Sequence, residues 1–202
     1  MTHLGRWLMA AGMIAGAVLF GLSWLPVKTD VQRVVLNPRT LNLPTDLIAL
    51  LEGRELIVDA PTWLWQGGQS EIRLRTNLGS QTEALNLILE ANLAINGGNS
   101  LPIGELAMPI QGTDWKELRW QISDDEMESG AVSGTMWVHA TFVRPAEQQK
   151  ARTALLAKPL DIPVRSMIPG LALGPQRWIG VGLFLVAGCS RLALGRRRAR
   201  LD

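Results

Sequence analysis

The first hydrophobic stretch, Trp7 to Leu25, constrains this chain more than any other part of its sequence. Eighteen consecutive residues, from Trp7 through Trp24, carry no charged side chain. A helix rises about 1.5 Å per residue, so this run spans about 27 Å, close to the roughly 30 Å hydrocarbon core of a bilayer. Indole favours the headgroup level, which suits the Trp at each end. The sequence therefore predicts an N-terminal transmembrane helix.

A cleaved signal peptide is the alternative interpretation of the same stretch. Gly21-Leu22-Ser23 places small residues at the −3 and −1 positions of a cut after Ser23. The apolar run is, however, longer than the roughly 7–15 residues of a usual signal-peptide core. The sequence favours an uncleaved anchor.

Small residues recur along this predicted helix and indicate a helix-packing face. Glycine and alanine let two helix backbones approach closely. The partner is either the second helix of the same chain or another copy of the first. The candidate packing residues are Gly5, Gly12, Gly16 and Gly21.

A second apolar run begins at Trp178 and continues to Leu194, interrupted by Arg191. Only 13 uncharged residues separate Arg177 from Arg191, which is short for a membrane span. An arginine near a helix end can extend its guanidinium to the interface, and a cationic cluster beyond the helix is typical of a cytoplasmic end. The residues taken to set this topology are Arg6, Arg196, Arg197, Arg198 and Arg200.

The two stretches together predict a two-pass protein of the plasma or inner membrane. Both termini would lie in the cytoplasm, and the central domain would be extracytoplasmic. The predicted segments are an N-terminal helix in 1–27, a linker in 28–54, a β-sandwich in 55–168, a linker in 169–177, a C-terminal helix in 178–195 and a basic tail in 196–202.

Between the helices the hydrophobic pattern has a period of two residues. It is clearest in 85–95, 118–122 and 132–143, where apolar and polar side chains alternate. About seven such strands are separated by turn residues, which predicts a mainly β, antiparallel β-sandwich. In outline it looks like an immunoglobulin-like or fibronectin-type module, but the Cys…Trp…Cys framework of immunoglobulin domains is absent.

Charge and cysteine content exclude several classes of function. The net charge is +2, yet residues 28–177 carry 14 basic and 17 acidic side chains, so the middle of the chain is at −3. Without a basic stripe there, we expect no nucleic-acid partner. The single Cys189 excludes an intrachain disulfide framework.

Catalytic and metal-binding patterns are weak. His139 with Ser133 and Asp124 or Asp125 is the one candidate hydrolase set, but no Gly-x-Ser-x-Gly motif accompanies it. We therefore expect no enzyme activity, metal or cofactor. Two weaker alternatives are metal sites. Copper could be bound by Met108, Met127 and Met136. Calcium could be bound by the acidic loop of Asp124, Asp125, Glu126 and Glu128.

Tryptophans in the β-domain form a candidate interaction surface. Trp63, Trp65 and Trp137 could be exposed anchors for a partner, and Trp115 is a further tryptophan of the same domain. Burial in the core is the more common environment of a tryptophan.

The leading functional hypothesis is a non-enzymatic accessory, assembly or scaffold subunit of a membrane complex. Its expected partners are the lipid bilayer and either another membrane protein or a second copy bound through the first helix. The alternative hypothesis is an extracytoplasmic carbohydrate- or peptide-binding domain that uses exposed tryptophans.

Overall fold

The computed structural model describes residues 3–37, 48, 51–78, 86–110, 114–124, 130–144, 149–166, 168 and 171–198. Two helices flank ten strands in this part of the chain. The helices are α1 (His3–Leu22) and α2 (Leu173–Arg198). The strands are β1 (Thr29–Val35), β2 (Glu55–Pro61), β3 (Leu64–Trp65), β4 (Gln69–Thr76), β5 (Asn86–Asn96), β6 (Asn99–Leu101), β7 (Glu105–Ile110), β8 (Lys116–Ser123), β9 (Ala131–Arg144) and β10 (Gln149–Arg165).

The strands form two five-stranded sheets. The first sheet has the order β1-β2-β4-β8-β6, and the second has the order β3-β10-β9-β5-β7. In the second sheet the longest ladders are antiparallel and lie on either side of β9, which pairs with β10 and with β5. The prediction of a β-rich fold is confirmed.

Period-two alternation explains the core. Ile72 and Leu74 of β4 and Trp120 of β8 are fully buried from the first sheet, and Leu89 and Met136 are fully buried from the second. All five belong to one apolar cluster, so the two sheets share a single core, as in a sandwich-like arrangement.

Proline is placed differently in two parts of the sheets. Strands β6 and β7 lie on either side of Pro102 and belong to different sheets. Strand β10, by contrast, continues through Pro159 and Pro163. Proline lacks a backbone N–H, so a strand tolerates it only where the ladder does not need that donor.

The prediction of transmembrane helices is wrong. Among the residues that the structure describes, neither helix is both long enough and apolar enough to cross a membrane. Helix α1 contains His3 and Arg6 and ends at Leu22, so its uncharged part covers only 16 residues, 7–22. At about 1.5 Å per residue this part is about 24 Å long. Trp24, one of the two predicted interfacial tryptophans, follows the helix.

The second helix has too short an apolar segment to cross a membrane, as its sequence already suggested. Arg177 and Arg191 both lie inside α2 and leave 13 uncharged residues between them. The predicted localisation as a two-pass membrane protein, with cytoplasmic termini and an extracytoplasmic domain, depended on both spans and is contradicted by the same finding. Of the basic cluster, residues 196–198 form the end of α2, and Arg200 lies outside the described residues.

The chain divides into two compact units. The helical unit comprises Met1–Pro26, Trp65–Gly68 and Arg165–Asp202. The β-unit comprises Val27–Leu64 and Gln69–Val164.

Burial alters the titration of Lys158 of β10. It pairs directly with the buried Met136 and is itself half-buried. Desolvation lowers the pKa of Lys158 below its ordinary 10.5, and the negative charge of Asp30 opposes that shift only in part. The unfolded chain therefore binds a proton more tightly at this residue than the folded chain does.

We expect the stability of the β-unit to rise with pH between the lowered pKa of Lys158 in the folded state and about 10.5, because only the unfolded state holds the proton in that window. Lys158→Met removes this rise and is at least as stable as the parent at pH 7. Urea unfolding between pH 7 and 10.5 measures both effects. Lys150→Met, at the exposed start of the same strand, is the control, and equal slopes in the two variants would contradict the prediction.

Candidate functional site

Helices α1 and α2 contact each other through glycine. Gly16 and Gly180 are both buried. A Cβ added at Gly16 would lie 2.8 Å from the Gly180 carbonyl oxygen and 2.9 Å from the Phe184 nitrogen. A Cβ at Gly180 would lie 3.1 Å from the Gly16 oxygen. The two backbones are therefore in direct contact, which larger side chains would prevent.

The other predicted packing residues differ in their surroundings. A Cβ at Gly12 would lie 3.8 Å from Ala187 Cβ, an ordinary van der Waals contact with α2. A Cβ at Gly21 would have no neighbouring atom within 4 Å. Gly5 lies near the start of α1. At Gly16 and Gly12 the neighbour is thus the second helix of the same chain.

Arg177 of α2 holds the C-terminal end of α1. Its guanidinium donates to the Ser23 carbonyl oxygen at 2.9 Å and lies 4.7 Å from the centroid of the Trp24 ring. Helix α1 has no basic side chain in its own last turn. Because the C-terminal end of a helix carries partial negative charge, a cation supplied from α2 stabilises it. The sequence analysis treated Arg177 only as a boundary of the apolar run and missed this contact.

Replacing Arg177 should loosen the helical unit. We expect Arg177→Ala to lower its unfolding free energy by about 2 kcal/mol, from one charge-assisted hydrogen bond and one cation–π contact. Arg177→Lys should recover part of that loss. Denaturant unfolding followed by tryptophan fluorescence measures both variants, and a double-mutant cycle with Trp24→Ala isolates the cation–π part. A coupling energy of zero in that cycle would contradict the cation–π contact.

The N-terminal end of α2 is held by the segment around Gln66. The Gln66 N–H donates to the Arg165 oxygen, and the Leu173 N–H donates to the Gln66 oxygen at 2.7 Å. The buried Gln176 amide donates to Ser166 Oγ at 2.9 Å. The bond from the Leu173 N–H satisfies one of the backbone donors that the N-terminus of a helix otherwise leaves without a partner. Nothing in the sequence pattern identified Gln66 or Gln176.

Large apolar side chains cover the outside of the helix pair. Trp178 is 76% exposed, Trp7 is 73% exposed and Val186 is 69% exposed. We call the following set the apolar helix surface: Trp7, Ile14, Val18, Phe20 and Leu22 of α1, and Trp178, Ile179, Leu183, Phe184, Leu185 and Val186 of α2. Large exposed apolar areas are uncommon on protein surfaces, and where they occur they often mark interaction sites.

The tryptophans of the predicted interaction surface differ in exposure. Trp63 and Trp65 are half-buried. Trp137, on the outer face of β9, is 44% exposed, and Trp115, just before β8, is 52% exposed. Trp120, which the prediction did not include, is fully buried in the core.

The outer face of the second sheet places polar groups beside Trp137. In register, Trp137 lies between Ala157 of β10 and Asn92 of β5. One ionic cluster lies on this face, where Arg152 binds Glu90 at 2.8 Å and Glu105 at 2.6 Å.

The outer face of the first sheet carries charged side chains that form ion pairs with one another. Glu71 binds Arg73, and their hydrogen bond is the main reason that the pKa of Arg73 is raised. Glu117 and Arg119 extend the network across β8. An open depression of about 480 Å³ beside it is lined by Gln69, Ser70, Glu71, Leu101, Arg119 and Gln121. Such exposed, mutually neutralised pairs are typical of a solvated sheet face.

The candidate hydrolase residues are not brought together. Ser133 and His139 lie on the same strand six residues apart, or about 20 Å at the rise of an extended strand. Asp124 is buried after β8, and Asp125 lies outside the described residues.

The candidate metal ligands give a similar result. Met136 is buried in the core and Met108 is half-buried on β7, whereas Met127, Glu126 and Glu128 lie outside the described residues. No group of three or more His, Cys, Asp or Glu side chains suited to a metal ion occurs in the part of the chain that the structure describes.

Comparisons with known proteins complete this description of the surfaces. No protein-family model matches the chain, and no curated protein matches it either.

Proposed function

We propose that this chain is a non-enzymatic accessory or assembly subunit of a larger protein complex, and that its helical unit binds a protein partner through the apolar helix surface. The observation that carries the proposal is the exposure of large apolar side chains on both helices, above all Trp178, Trp7 and Val186.

The way the helices pack supports this proposal. Their closest backbone approach uses glycine, at Gly16 and Gly180, with Leu19 and Leu183 beside it. Many large side chains of both helices therefore remain exposed. Burying one Leu, Val or Phe side chain contributes about 1.5–3 kcal/mol, and exposing a series of them forgoes that stabilisation. A partner surface that covers them recovers it.

Tryptophan is the residue expected to contribute most to such an interface. Indoles are enriched among the residues whose truncation costs at least about 2 kcal/mol of binding energy. Trp178 lies near the N-terminal end of α2, and Val186 lies two turns later. These two residues provide separate tests of the same surface.

Co-purification from a mild detergent tests the proposal. The parent chain should elute with a partner protein in fixed stoichiometry. Trp178→Ala and Val186→Glu should each reduce recovery of that partner more than about tenfold, which corresponds to about 1.4 kcal/mol. Both residues are exposed, so the helices themselves should still form.

Ile103→Glu is the matched control. Ile103 is an exposed apolar residue of the β-unit, 85% accessible, and its replacement should leave the partner bound. Elution as a single chain that binds only detergent or lipid, or equal loss of the partner in the control, would contradict the proposal.

A further inference from the structure

From the outer face of the second sheet we infer a second binding site, in which Trp137 is the platform for a neutral oligosaccharide. The inference does not depend on the proposed function of the helical unit, because Trp137 belongs to the β-unit. It narrows the interaction surface predicted from three tryptophans to one.

The small neighbours of Trp137 leave its ring accessible. Ala157 pairs with it directly on β10, and Ala94 and Ala154 lie one row away in the register. Methyl groups are too short to cover an indole, which explains why a residue in a central strand remains 44% exposed. A sugar ring presents a C–H face of matching size to such a flat apolar platform.

Polar groups with unused hydrogen-bonding capacity surround the platform. Asn92 lies directly opposite Trp137, and His139 lies two residues along the strand on the same face. Among the described residues, the side chains of Trp137, Asn92 and His139 form no hydrogen bond, ion pair or ring contact. These groups can donate to and accept from sugar hydroxyls.

The ionic cluster orients further acceptors on the same face. Arg152 forms ion pairs with Glu90 and Glu105. In the strand register, Glu90 lies opposite His139 and Glu105 lies opposite Asn92. Each carboxylate has more lone pairs than the arginine uses, so both keep acceptor capacity. The Glu105 side chain is the more accessible of the two, at 41% exposed against 16% for Glu90. Hydrogen bonds to a charged acceptor are stronger than those between neutral groups.

Charge identifies the class of ligand. Two carboxylates and one guanidinium give this cluster a net charge of −1, which disfavours an anionic ligand such as a phosphate. A neutral polyhydroxylated ring fits both the apolar platform and its polar surroundings. The site is an open face and not an enclosed cavity, so we expect dissociation constants of about a millimolar.

NMR of the full chain tests the inference. Three probes are titrated separately: cellohexaose, maltohexaose and chitohexaose. At least one should shift the Trp137 indole N–H signal in a saturable way. Trp137→Ala should weaken binding of that sugar at least about tenfold, and Asn92→Ala should weaken it about threefold or more.

Trp115→Ala is the matched control, because Trp115 is similarly exposed, 52% against 44%, but lies before β8 of the other sheet. It should leave the affinity unchanged. Circular dichroism checks that each variant keeps the sheet signal of the parent. The inference is overturned if none of the three sugars shifts the Trp137 signal at about 10 mM, or if Trp115→Ala weakens binding as much as Trp137→Ala.

Discussion

Gly16→Leu should separate α1 from α2. Already the first side-chain carbon would lie 2.8 Å from the Gly180 oxygen and 2.9 Å from the Phe184 nitrogen, and both are backbone atoms that cannot rotate away. Leucine adds three further carbons at the same point. We expect the variant to destabilise the helix pair by about 3 kcal/mol or more, the upper range for overpacking.

A disulfide between the helices reports this separation directly. A Cβ at Gly12 would lie 3.8 Å from Ala187 Cβ, which matches the mean Cβ–Cβ distance of about 3.8 Å in disulfides. In a Cys189→Ala background, the pair Gly12→Cys and Ala187→Cys should oxidise readily. Adding Gly16→Leu should abolish that bond.

Gly21→Leu is the matched control, because Gly21 has open space around it. It should leave the disulfide intact. Oxidation that proceeds equally with leucine at position 16 and at position 21 would contradict the glycine contact.

Gly134→Val should strongly destabilise the β-unit. Gly134 lies in β9, and a Cβ there would lie 2.9 Å from Ile95 Cα and closer still to the Ala94 carbonyl oxygen. Its neighbour across the ladder is β5, whose antiparallel pairing with β9 runs from Asn86 to Asn96. Valine therefore forces the central strands of the second sheet apart.

The cost should be large relative to the stability of the whole unit. Overpacking against backbone costs about 3 kcal/mol or more, whereas domains of this size are stable by about 5–15 kcal/mol. Thermal unfolding followed by circular dichroism should show a loss of at least about 10 °C in Tm or no cooperative transition. Gly130→Val, at a glycine with nothing within 4 Å, is the control and should unfold near the parent. A Tm for Gly134→Val equal to that of this control would contradict the argument.

The strands were predictable because their signal is local. Alternation of buried and exposed residues, as in Ile72 and Leu74 of β4, follows from the geometry of a strand against a core. The assignment of strands to sheets was not predictable in the same way. Nothing local shows that β6 and β7, separated by three residues, belong to different sheets.

For the helices, the sequence predicted their presence but not their exact ends or their contacts. Their existence followed from hydrophobicity, but the predicted membrane spans depended on where each helix ends. Helix α1 ends at Leu22, before the uncharged run ends at Trp24, and this shortens the uncharged part of the helix. The role of Arg177 also depends on a contact 154 residues away in sequence, with Ser23, which no local pattern reveals.

The two candidate surfaces belong to separate units, so their tests are independent. Trp178 and Val186 lie in the helical unit, and Trp137 lies in the β-unit. A variant at one surface should leave binding at the other unchanged. Such a pattern is expected of a subunit that is held by its helices and displays a separate binding domain.

Native mass spectrometry of the chain released from mild detergent tests the central claim most directly. The chain alone has a mass of 22.1 kDa. The account predicts a complex heavier than this by the mass of a whole protein partner, and it predicts that Val186→Glu returns the mass to 22.1 kDa. A parent chain that is already at 22.1 kDa, with no bound protein, would contradict it.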